Sequence, residues 1–539
     1  MKQLMQKLKK HFGGINFLIL MIYTAFVVVA QVFHNPKHSA LFSVVTGLGV
    51  LLVLAVLGPV LLRFLAGRHA CPREQKEAPI LKRVLVGGCF YLIPLVVFLF
   101  YFIACFPGGW SDDSFNQYTQ AIQNQYNDWH PVLHTLLAFK LPLTLTGGWV
   151  GSVVLLQIFC YCGAMGYACN VIRQHFGIRW AIVAVAWMVL NPLVMMTSMH
   201  PWKDVGFAIC ALLLATFALE AVISRGQWLQ NLRNVIFFIL VAVAASIFRH
   251  NGILFTAPLV LAMALLLSKK RAIALCLSVA LLFVVIKGPV YGLLGAEKPA
   301  QRQVETLGLP MTVIGAVVSQ NPDALDSETR EFVYRVSPQE AWEEAYILGD
   351  YNAIKYDNRT NNDVIEEYGR GKVLSMMVRT TVSDPKNALS GLVALTKQLF
   401  GLSGAAMDFA FPRVVGKHDV IKQSPNLPMM KVLKTYAEGV KAYLPHIFLH
   451  LGIMHFILLA FLLAKIKLKK RLDLSKLLVV LGVFCYNFGS GLLLTSYGDI
   501  YRFFFYTFPL MPVLLLMLCC NHDERSKPLF AWLKKWKKS

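Results

Sequence analysis

Five short polar clusters contain the side chains of this sequence whose types and spacing suit chemistry. They occupy residues 109–114, 128–131, 200–204, 249–251 and 497–502. Each cluster lies at the end of an apolar segment. When these segments are counted from the N-terminus, all five clusters come out on the face opposite the lysine-rich loops. Polar residues without a shared role would be distributed over both faces, so the pattern predicts a single active site on one side of a membrane.

Asp112 and Asp113 are the predicted catalytic residues, because two adjacent carboxylates stand beside an apolar segment. A low dielectric and a neighbouring negative charge both raise the pKa of a carboxyl group, which suits a general base that deprotonates an acceptor hydroxyl. The same pair would also suit a divalent cation such as Mg²⁺ or Mn²⁺. Alternatively, either residue could simply cap the helix that follows. The residues alone leave these roles open.

The second cluster places an acid, an indole and an imidazole within three residues, Asp128, Trp129 and His130. We interpret all three as substrate-binding residues. The alternative for Trp129 is an anchor at the membrane surface, and the alternative for His130 is a cap of the next helix.

Three cations, Lys203, Arg249 and Arg502, begin or end apolar segments on the predicted outer face. Charged residues this close to hydrocarbon are costly and usually functional, and arginine binds phosphate through a planar fork. Each cation by itself could be an interfacial residue or half of an ion pair. Together they predict a phosphate site. Their neighbours are assigned to the same substrate-binding site: Asp204, His250, Asp499 and Tyr501.

Composition indicates an integral membrane protein. Of the 539 residues, 56% are hydrophobic and 15% are charged, and the mean hydropathy is +0.56. The net charge of +23 does not indicate nucleic acid as a partner, because the excess lies in short loops between apolar segments. The long polar segment 296–440 holds 16 Lys and Arg against 18 Asp and Glu. This distribution is the positive-inside bias of a protein that spans a membrane several times.

The apolar runs predict an all-α protein of the cell membrane with about twelve spans and both termini in the cytoplasm. The predicted spans are 15–33, 41–64, 84–105, 149–172, 179–198, 205–223, 234–248, 252–268, 271–291, 443–464, 476–495 and 502–520.

Five regions follow from these spans. The chain would comprise extra N-terminal spans (1–83), a transmembrane module with an external loop 107–148 (84–291), an external helical domain (292–442), C-terminal spans (443–520) and a basic cytoplasmic tail (521–539).

Two external segments carry helix patterns. In the loop, we expect a polar helix over 113–125 and an apolar helix after Pro131. In the domain, Ser337 to Glu340 has the pattern of a capping box, and Asp384-Pro385 opens another helix.

These motifs resemble the GT-C superfamily of membrane glycosyltransferases, which includes protein O-mannosyltransferases and bacterial aminoarabinose transferases. The likeness is carried by the order of a span, Trp110-Ser111-Asp112-Asp113-Ser114, a surface helix, His130-Pro131, a short helix and the next span. It is closest to uncharacterised bacterial multispanning proteins with Ser-Asp-Asp-Ser, Asp-Trp-His-Pro, Lys-Asp and an arginine–asparagine turn. The chain departs from better-known members by two additional spans at its start and by a domain inserted after the ninth span.

The resemblance implies a polyprenyl-phosphate-linked sugar as donor, a cell-envelope glycan, lipid or protein as acceptor, and inversion at the anomeric carbon. It places the catalytic acid at Asp112 or Asp113, and the phosphate-binding cations at Lys203, Arg249 and Arg502. Membrane lipid would surround the donor tail. Two alternatives keep the phosphate site but change the function: a flippase for lipid-linked saccharides, or a polysaccharide polymerase or ligase. A flippase would need polar residues deep within several spans, whereas polarity here concentrates at span ends.

Overall fold

The computed structural model describes residues 14–34, 80–298, 303–402, 406–415, 421–465 and 471–520. This part of the chain is all-helical. It has no β-strand, only isolated bridges between loops. The predicted all-α class is therefore confirmed for the described residues. The predicted span 41–64 and the basic tail 521–539 lie outside them.

Apolar sequences form most of the long helices. These are Gly14–His34, Ile80–Ala104, Gly151–Phe176, Ile178–Val189, Pro192–Thr197, Lys203–Ile223, Leu232–Phe248, Ile253–Ala264, Lys269–Val285, Leu451–Lys465, Arg471–Gly491, Ile500–Phe504 and Thr507–Cys519. A π-helical turn, Ile286–Val290, and the short helix Tyr291–Leu293 prolong Lys269–Val285. A 3-10 turn, Gln227–Gln230, joins two of the long helices.

Six helices among the described residues are long and apolar enough to cross a membrane. They are Val84–Ala104, Gly151–Phe176, Lys203–Ile223, Lys269–Leu293, Leu472–Gly491 and Ile500–Cys519. This set is consistent with a multi-pass membrane protein. Lys203–Ile223 and Ile500–Cys519 are largely buried by other helices, whereas Lys269–Leu293 is almost fully exposed. These two buried helices both carry predicted site residues in their first turn.

The predicted span 179–198 is interrupted after Val189. Asn191 lies between the two short helices, and its side-chain oxygen accepts hydrogen bonds from the backbone N–H groups of Leu193 and Val194 at 2.9 and 3.3 Å. Its amide nitrogen donates to the Phe448 carbonyl at 3.1 Å. Pro192 follows at the first helical position, where it needs no hydrogen-bond partner. The Asn-Pro pair thus starts a new helix instead of continuing the first.

The segment before the third long helix contains both helices that the sequence predicts there. The surface helix, Asp112–Gln123, carries the two adjacent carboxylates in its first turn. After Pro131 the chain forms a second, apolar helix whose middle part widens to a π-helix. Its parts are Val132–His134, Thr135–Lys140 and Leu141–Leu145.

The polar segment has its own hydrophobic core, formed by side chains between Val304 and Leu392. Its helical elements are Gln303–Thr306, Gly308–Gln320, Pro322–Ala324, Ser327–Val336, Gln339–Glu344, Asn352–Lys355, Asp363–Ser383 and Pro385–Phe400. Leu427–Tyr443 and Pro445–Phe448 then lead back to the apolar helices.

Of the two helix starts predicted in this segment, one is confirmed and one is wrong in detail. Asp384 caps Pro385–Phe400 by accepting a hydrogen bond from the Asn387 backbone N–H at 3.1 Å. The predicted capping box at Ser337 does not form, because Pro338 is the residue that precedes helix Gln339–Glu344. The Ser337 hydroxyl instead accepts a hydrogen bond from the Thr360 hydroxyl at 3.0 Å.

We predict that Asn191→Ala lowers the free energy of unfolding by about 2 kcal/mol, because it removes a helix cap and strands buried backbone groups. Asn231→Ala is the matched control. Asn231 caps Leu232–Phe248 through one hydrogen bond at an exposed position, so its loss should cost about 0.5 kcal/mol. Unfolding of the purified protein in mixed detergent micelles measures both. Equal losses would contradict the structural role given to Asn191.

Candidate functional site

Four charged side chains from distant parts of the sequence meet in one cluster. Arg502 Nη2 lies 2.6 Å from Asp113 Oδ2 and 3.4 Å from Asp204 Oδ2. Asp204 also forms a short ion pair with Arg249 through its other oxygen. We call Asp113, Asp204, Arg249 and Arg502, together with the neighbouring Lys203, the ionic cluster. Two carboxylates and three cations leave it a formal surplus of one positive charge.

Lys203 joins the cluster to the second polar motif. Its ammonium group lies 3.4 Å from His130 Nδ1. Burial, together with the positive charge of Lys203, lowers the pKa of His130 to about 3. The imidazole is therefore neutral at physiological pH, and its Nδ1 accepts a hydrogen bond from the ammonium group.

Three of the helices place these side chains at neighbouring ends. Lys203 and Asp204 form the first turn of Lys203–Ile223, and Arg502 lies in the first turn of the last span. Arg249 directly follows the end of Leu232–Phe248. Because helices of similar length pack side by side, ends that are far apart in sequence come together in space.

Aromatic rings hold the guanidinium groups in position. The guanidinium carbon of Arg502 lies 4.5 Å from the centre of the Trp202 ring, and that of Arg249 lies 4.1 Å from the centre of the Phe503 ring. Trp202 stacks on His200 at 4.1 Å and donates a hydrogen bond to Ser111 Oγ at 2.9 Å. Stacking of this kind favours arginine over lysine. Sequence analysis assigned no role to Trp202 or Phe503, although each directly adjoins a predicted cation.

The protein backbone closes tightly behind the cluster. The Gly109 N–H donates to the Met199 carbonyl at 3.0 Å, and a Cβ atom at Gly109 would lie 2.3 Å from the His200 ring. The Gln157 side chain donates to the carbonyls of Ser198 and His200 at 2.8 and 2.9 Å. Only glycine fits at position 109, so the loop before Asp112 has a single way to approach the start of Lys203–Ile223.

The predicted rise in carboxylate pKa is wrong for Asp113. Burial does raise the pKa of this carboxyl group, but the positive charges of Arg502 and Lys203, together with the hydrogen bond from Arg502, outweigh it. The pKa of Asp113 therefore lies well below its usual range. Desolvation and the neighbouring Asp112 are visible in the local sequence, whereas these cations come from segments about 90 and 390 residues away.

Asp128 is paired outside the ionic cluster. It forms a short ion pair with Lys287, a residue to which the sequence assigned no role. His250 lies in the same neighbourhood: burial lowers its pKa, and the charges of Lys203 and Lys287 lower it further. Lys287 could have been noticed as a lysine in the last turns of an otherwise apolar helix.

A large polar cavity lies on the other side of the surface helix. Its volume is about 1190 Å³, and we call it the polar cavity. Its lining side chains come from the surface helix, the turn that follows and the segment after Tyr291–Leu293: Asp112, Phe115, Asn116, Thr119, Gln120, Gln123, Asn124, Gln125, Tyr126, Asn127, Trp129, Leu294, Gly295, Glu297 and Glu305.

A second cavity, of about 440 Å³, lies between apolar helices, and we call it the apolar cavity. Its lining includes Gly206, one turn beyond Lys203, and Phe248, the residue before Arg249. His134 also lines it, with its ring 5.2 Å from that of Phe248. Almost all of the remaining lining side chains are aliphatic. The helix that begins at Lys203 and the helix that ends before Arg249 therefore also line the apolar cavity.

The predicted site residues therefore divide into three groups. Asp113, His130, Lys203, Asp204, Arg249 and Arg502 meet at the ionic cluster, whereas Asp112 and Trp129 line the polar cavity, and Asp128 and His250 lie beside Lys287. The ring of Tyr501 lies 6.4 Å from that of Trp202. Asp499 ends a 3-10 turn before the last span, and its side chain lies outside the described residues. No group of three or more metal-binding side chains occurs among the described residues, so the predicted divalent cation stays a prediction.

A family of unknown function (DUF6020) matches residues 123–360, which is less than half of the chain. The match includes Asp128 to His130, Lys203, Asp204 and Arg249, and it excludes Asp112, Asp113 and Arg502. No curated protein and no protein of solved structure matches the chain.

We predict that Asp204→Asn lowers the free energy of unfolding by about 3 kcal/mol or more, because it leaves Arg249 without its buried counter-ion and removes one of the two carboxylates that pair with Arg502. Glu367→Gln is the matched control, since it breaks the pair with Arg335 at 2.6 Å, where the glutamate side chain is 59% exposed against 1% for Asp204. Its cost should stay below about 1 kcal/mol. Unfolding in mixed micelles compares the two, and similar costs would mean that Asp204 is well solvated.

The low pKa of Asp113 predicts how its contribution to stability varies with pH. A carboxyl group whose pKa is depressed on folding stabilises the protein above its unfolded pKa, and this stabilisation disappears as the pH falls through the folded value. The difference in melting temperature between the wild type and Asp113→Asn should therefore be constant between pH 5 and 8 and shrink in stronger acid. A difference that vanishes near pH 6 would show that the pKa of Asp113 is raised.

Proposed function

We propose that this protein is a membrane glycosyltransferase similar to the GT-C superfamily, which transfers a sugar from a polyprenyl-phosphate donor to a cell-envelope acceptor. The observation that carries the proposal is the position of the apolar cavity, whose lining includes Gly206, one turn beyond Lys203, and Phe248, the residue before Arg249. An amphipathic lipid phosphate needs both features in this order: cations for its head group and an apolar channel for its tail. The topology of about twelve spans, with both termini cytoplasmic and the site outside, belongs to the same proposal.

The charge of the ionic cluster favours a monophosphate donor. A sugar linked through a phosphodiester carries one negative charge, which equals the surplus of the cluster. A diphosphate-linked donor, such as those of many polysaccharide polymerases and ligases, would leave additional negative charge uncompensated close to lipid, which is costly. The charge balance therefore supports a polyprenyl-monophosphate donor over the polymerase alternative.

Phosphate binding would change the state of Asp113. In the free protein, Arg502 pairs with Asp113 at 2.6 Å and keeps that carboxylate ionised. A donor phosphate would compete for the same guanidinium group, as an anion that arginine binds through two parallel hydrogen bonds. The role of Asp113 is then to position Arg502 until the donor arrives.

Asp112 is better placed than Asp113 to be the general base. It lies on the polar cavity, from which an acceptor hydroxyl would approach. In the transfer step, the hydroxyl oxygen forms the new bond to the anomeric carbon while the bond from that carbon to the phosphate oxygen breaks. The hydroxyl proton passes to Asp112, and the phosphate leaves with the bonding electrons. Attack opposite the leaving group inverts the anomeric centre. Cations already in position to stabilise the departing phosphate would supply much of the rate.

The test is the purified full-length protein in lipid nanodiscs, given a radiolabelled polyprenyl-phosphate sugar and cell-envelope material. The proposal expects label in the envelope material and release of polyprenyl phosphate. The flippase alternative expects movement of intact donor across a proteoliposome membrane with no covalent transfer. That outcome, with polyprenyl-phosphate donors of several sugars, would overturn the proposal.

We predict different kinetic effects for the two adjacent carboxylates. Asp112→Asn should lower kcat by about 100-fold or more, with the KM for the donor nearly unchanged, because it removes the base but no phosphate contact. Asp113→Asn should mainly lower the KM for the donor, because it removes the carboxylate that competes with the donor phosphate for Arg502. Steady-state kinetics with varied donor concentration separates these effects. The reverse pattern would make Asp113 the base.

A further inference from the structure

The polar cavity is built to bind a ligand rich in hydrogen-bonding groups. Its volume of about 1190 Å³ is large for a single metal ion or a small anion, and it lies just above the range of about 300 to 1000 Å³ that is usual for small-molecule sites. One wall is the surface helix. The opposite wall is fixed through the backbone to the turn that follows this helix: the Glu297 N–H donates to the Tyr126 carbonyl, and the Asp128 N–H donates to the Glu297 carbonyl, both at 2.9 Å.

Side-chain amides are the commonest polar groups in the lining. Asn116, Gln120, Gln123, Asn124 and Asn127 all contribute, and each amide offers both a donor and an acceptor. Neighbouring sugar hydroxyls also donate and accept at short spacing, so amides fit them better than groups of a single type. An apolar ligand such as a lipid tail would leave these groups without partners, at a cost in free energy.

Several of the amides are already held in place. Gln120 donates to the Asn116 side-chain oxygen at 2.7 Å and accepts from the Asn127 backbone N–H at 3.0 Å. The Asn127 side chain in turn accepts from the backbone N–H of Trp129 at 2.9 Å. A network that is fixed before the ligand arrives loses less conformational entropy on binding.

An aromatic ring lies at the edge of the polar cavity beside the ionic cluster. The Trp129 side chain is 39% exposed although its neighbour His130 is buried. A large, partly exposed ring offers an apolar surface for the C–H face of a sugar ring, and its N–H group can bond to a hydroxyl. Trp129 and Asp112 thus mark the end of the cavity at which the transfer chemistry is proposed.

The charge of the lining restricts what can bind. The charged lining residues in the described part of the chain are Asp112, Glu297 and Glu305, and all three are acidic. Glu305 is paired with Lys355 at 2.6 Å, and Asp112 and Glu297 add two further carboxylates to the lining. Like charges placed together oppose binding, so an anionic polymer would be disfavoured here.

We propose that the polar cavity is the acceptor site and that it takes an uncharged, hydroxyl-rich saccharide in preference to phosphate-bearing or uronate-bearing glycans. The assignment of this cavity as an acceptor site rests on the proposed function. The binding of saccharide to the cavity is independent of any transfer. In this arrangement the donor phosphate and the acceptor approach Asp112 and Asp113 from opposite sides of the surface helix, one through cations and the other through amides.

The experiment measures binding without donor. Full-length protein in nanodiscs is screened against an array of neutral, phosphorylated and uronate-containing oligosaccharides, and the best neutral ligand is titrated by calorimetry beside tetragalacturonate. We expect saturable binding of a neutral oligosaccharide and at least tenfold weaker binding of tetragalacturonate. Trp129→Ala and Gln123→Ala should each weaken the neutral ligand about tenfold, which is the effect of losing about 1.4 kcal/mol of contact. Gln320→Ala, at an exposed helix end outside the cavity, should have no effect.

A charge variant tests the exclusion of anions. Glu297→Gln should narrow the difference between neutral and uronate ligands, because it removes one repelling carboxylate and keeps the shape of the wall. Binding of tetragalacturonate as tight as that of neutral ligands in the wild type would overturn the inference, as would the absence of any neutral ligand or equal effects of Gln123→Ala and Gln320→Ala. Transfer activity without such binding would leave the proposed function intact and remove only this site. Binding without transfer would support this site and contradict the proposed function.

Discussion

The site depends on one constraint: a charged side chain that is buried needs a counter-ion close to it. Asp204 is almost inaccessible at the start of a central apolar helix, and it is held by Arg249 and Arg502. Removing an isolated carboxylate from water costs several kcal/mol, and only close counter-ions offset that cost. Because the two arginines end one helix and begin another, Asp204 ties three helix ends together. Asp113, Trp202 and Phe503 then attach to the same guanidinium groups.

From this arrangement follows a separation of chemical environments around the surface helix. On one side the charges are mainly positive, and an apolar cavity begins one helical turn away. On the other side the lining consists of amides and carboxylates. Asp112 and Asp113 are adjacent in sequence, yet successive residues of a helix point in directions about 100° apart. That geometry alone lets two neighbouring carboxylates serve two different environments.

Such a division suits an enzyme that must join a lipid-soluble donor to a water-soluble acceptor. The donor needs a lateral approach from lipid, and the acceptor needs an approach from water. A cavity open to both would bring water to the reacting centre and lipid to the acceptor site. With the surface helix between the two, the phosphate of the proposed donor would lie in a region of low dielectric, where cations would bind it most strongly. The separation is what a flippase would not need, since a flippase moves one amphipathic molecule along one path.

The sequence by itself determined the helical class, several helix boundaries and most of the charged residues that meet at the ionic cluster. These follow from local physics: apolar runs must form helices, Asp384 must cap before Pro385, and ionisable residues at the ends of apolar runs are too costly to be incidental. Long-range contacts decided the rest. The pKa of Asp113 is low because Arg502 and Lys203, which are far away along the chain, lie close to it in space. Asp128 forms its ion pair with Lys287, and no local pattern indicates that these two residues are partners. The break at Asn191 and the supporting roles of Trp202 and Phe503 likewise depend on neighbours brought by folding. Electrostatics and packing act between residues that are close in space. The spacing of residues along the chain shows only which of them are close within a single helix.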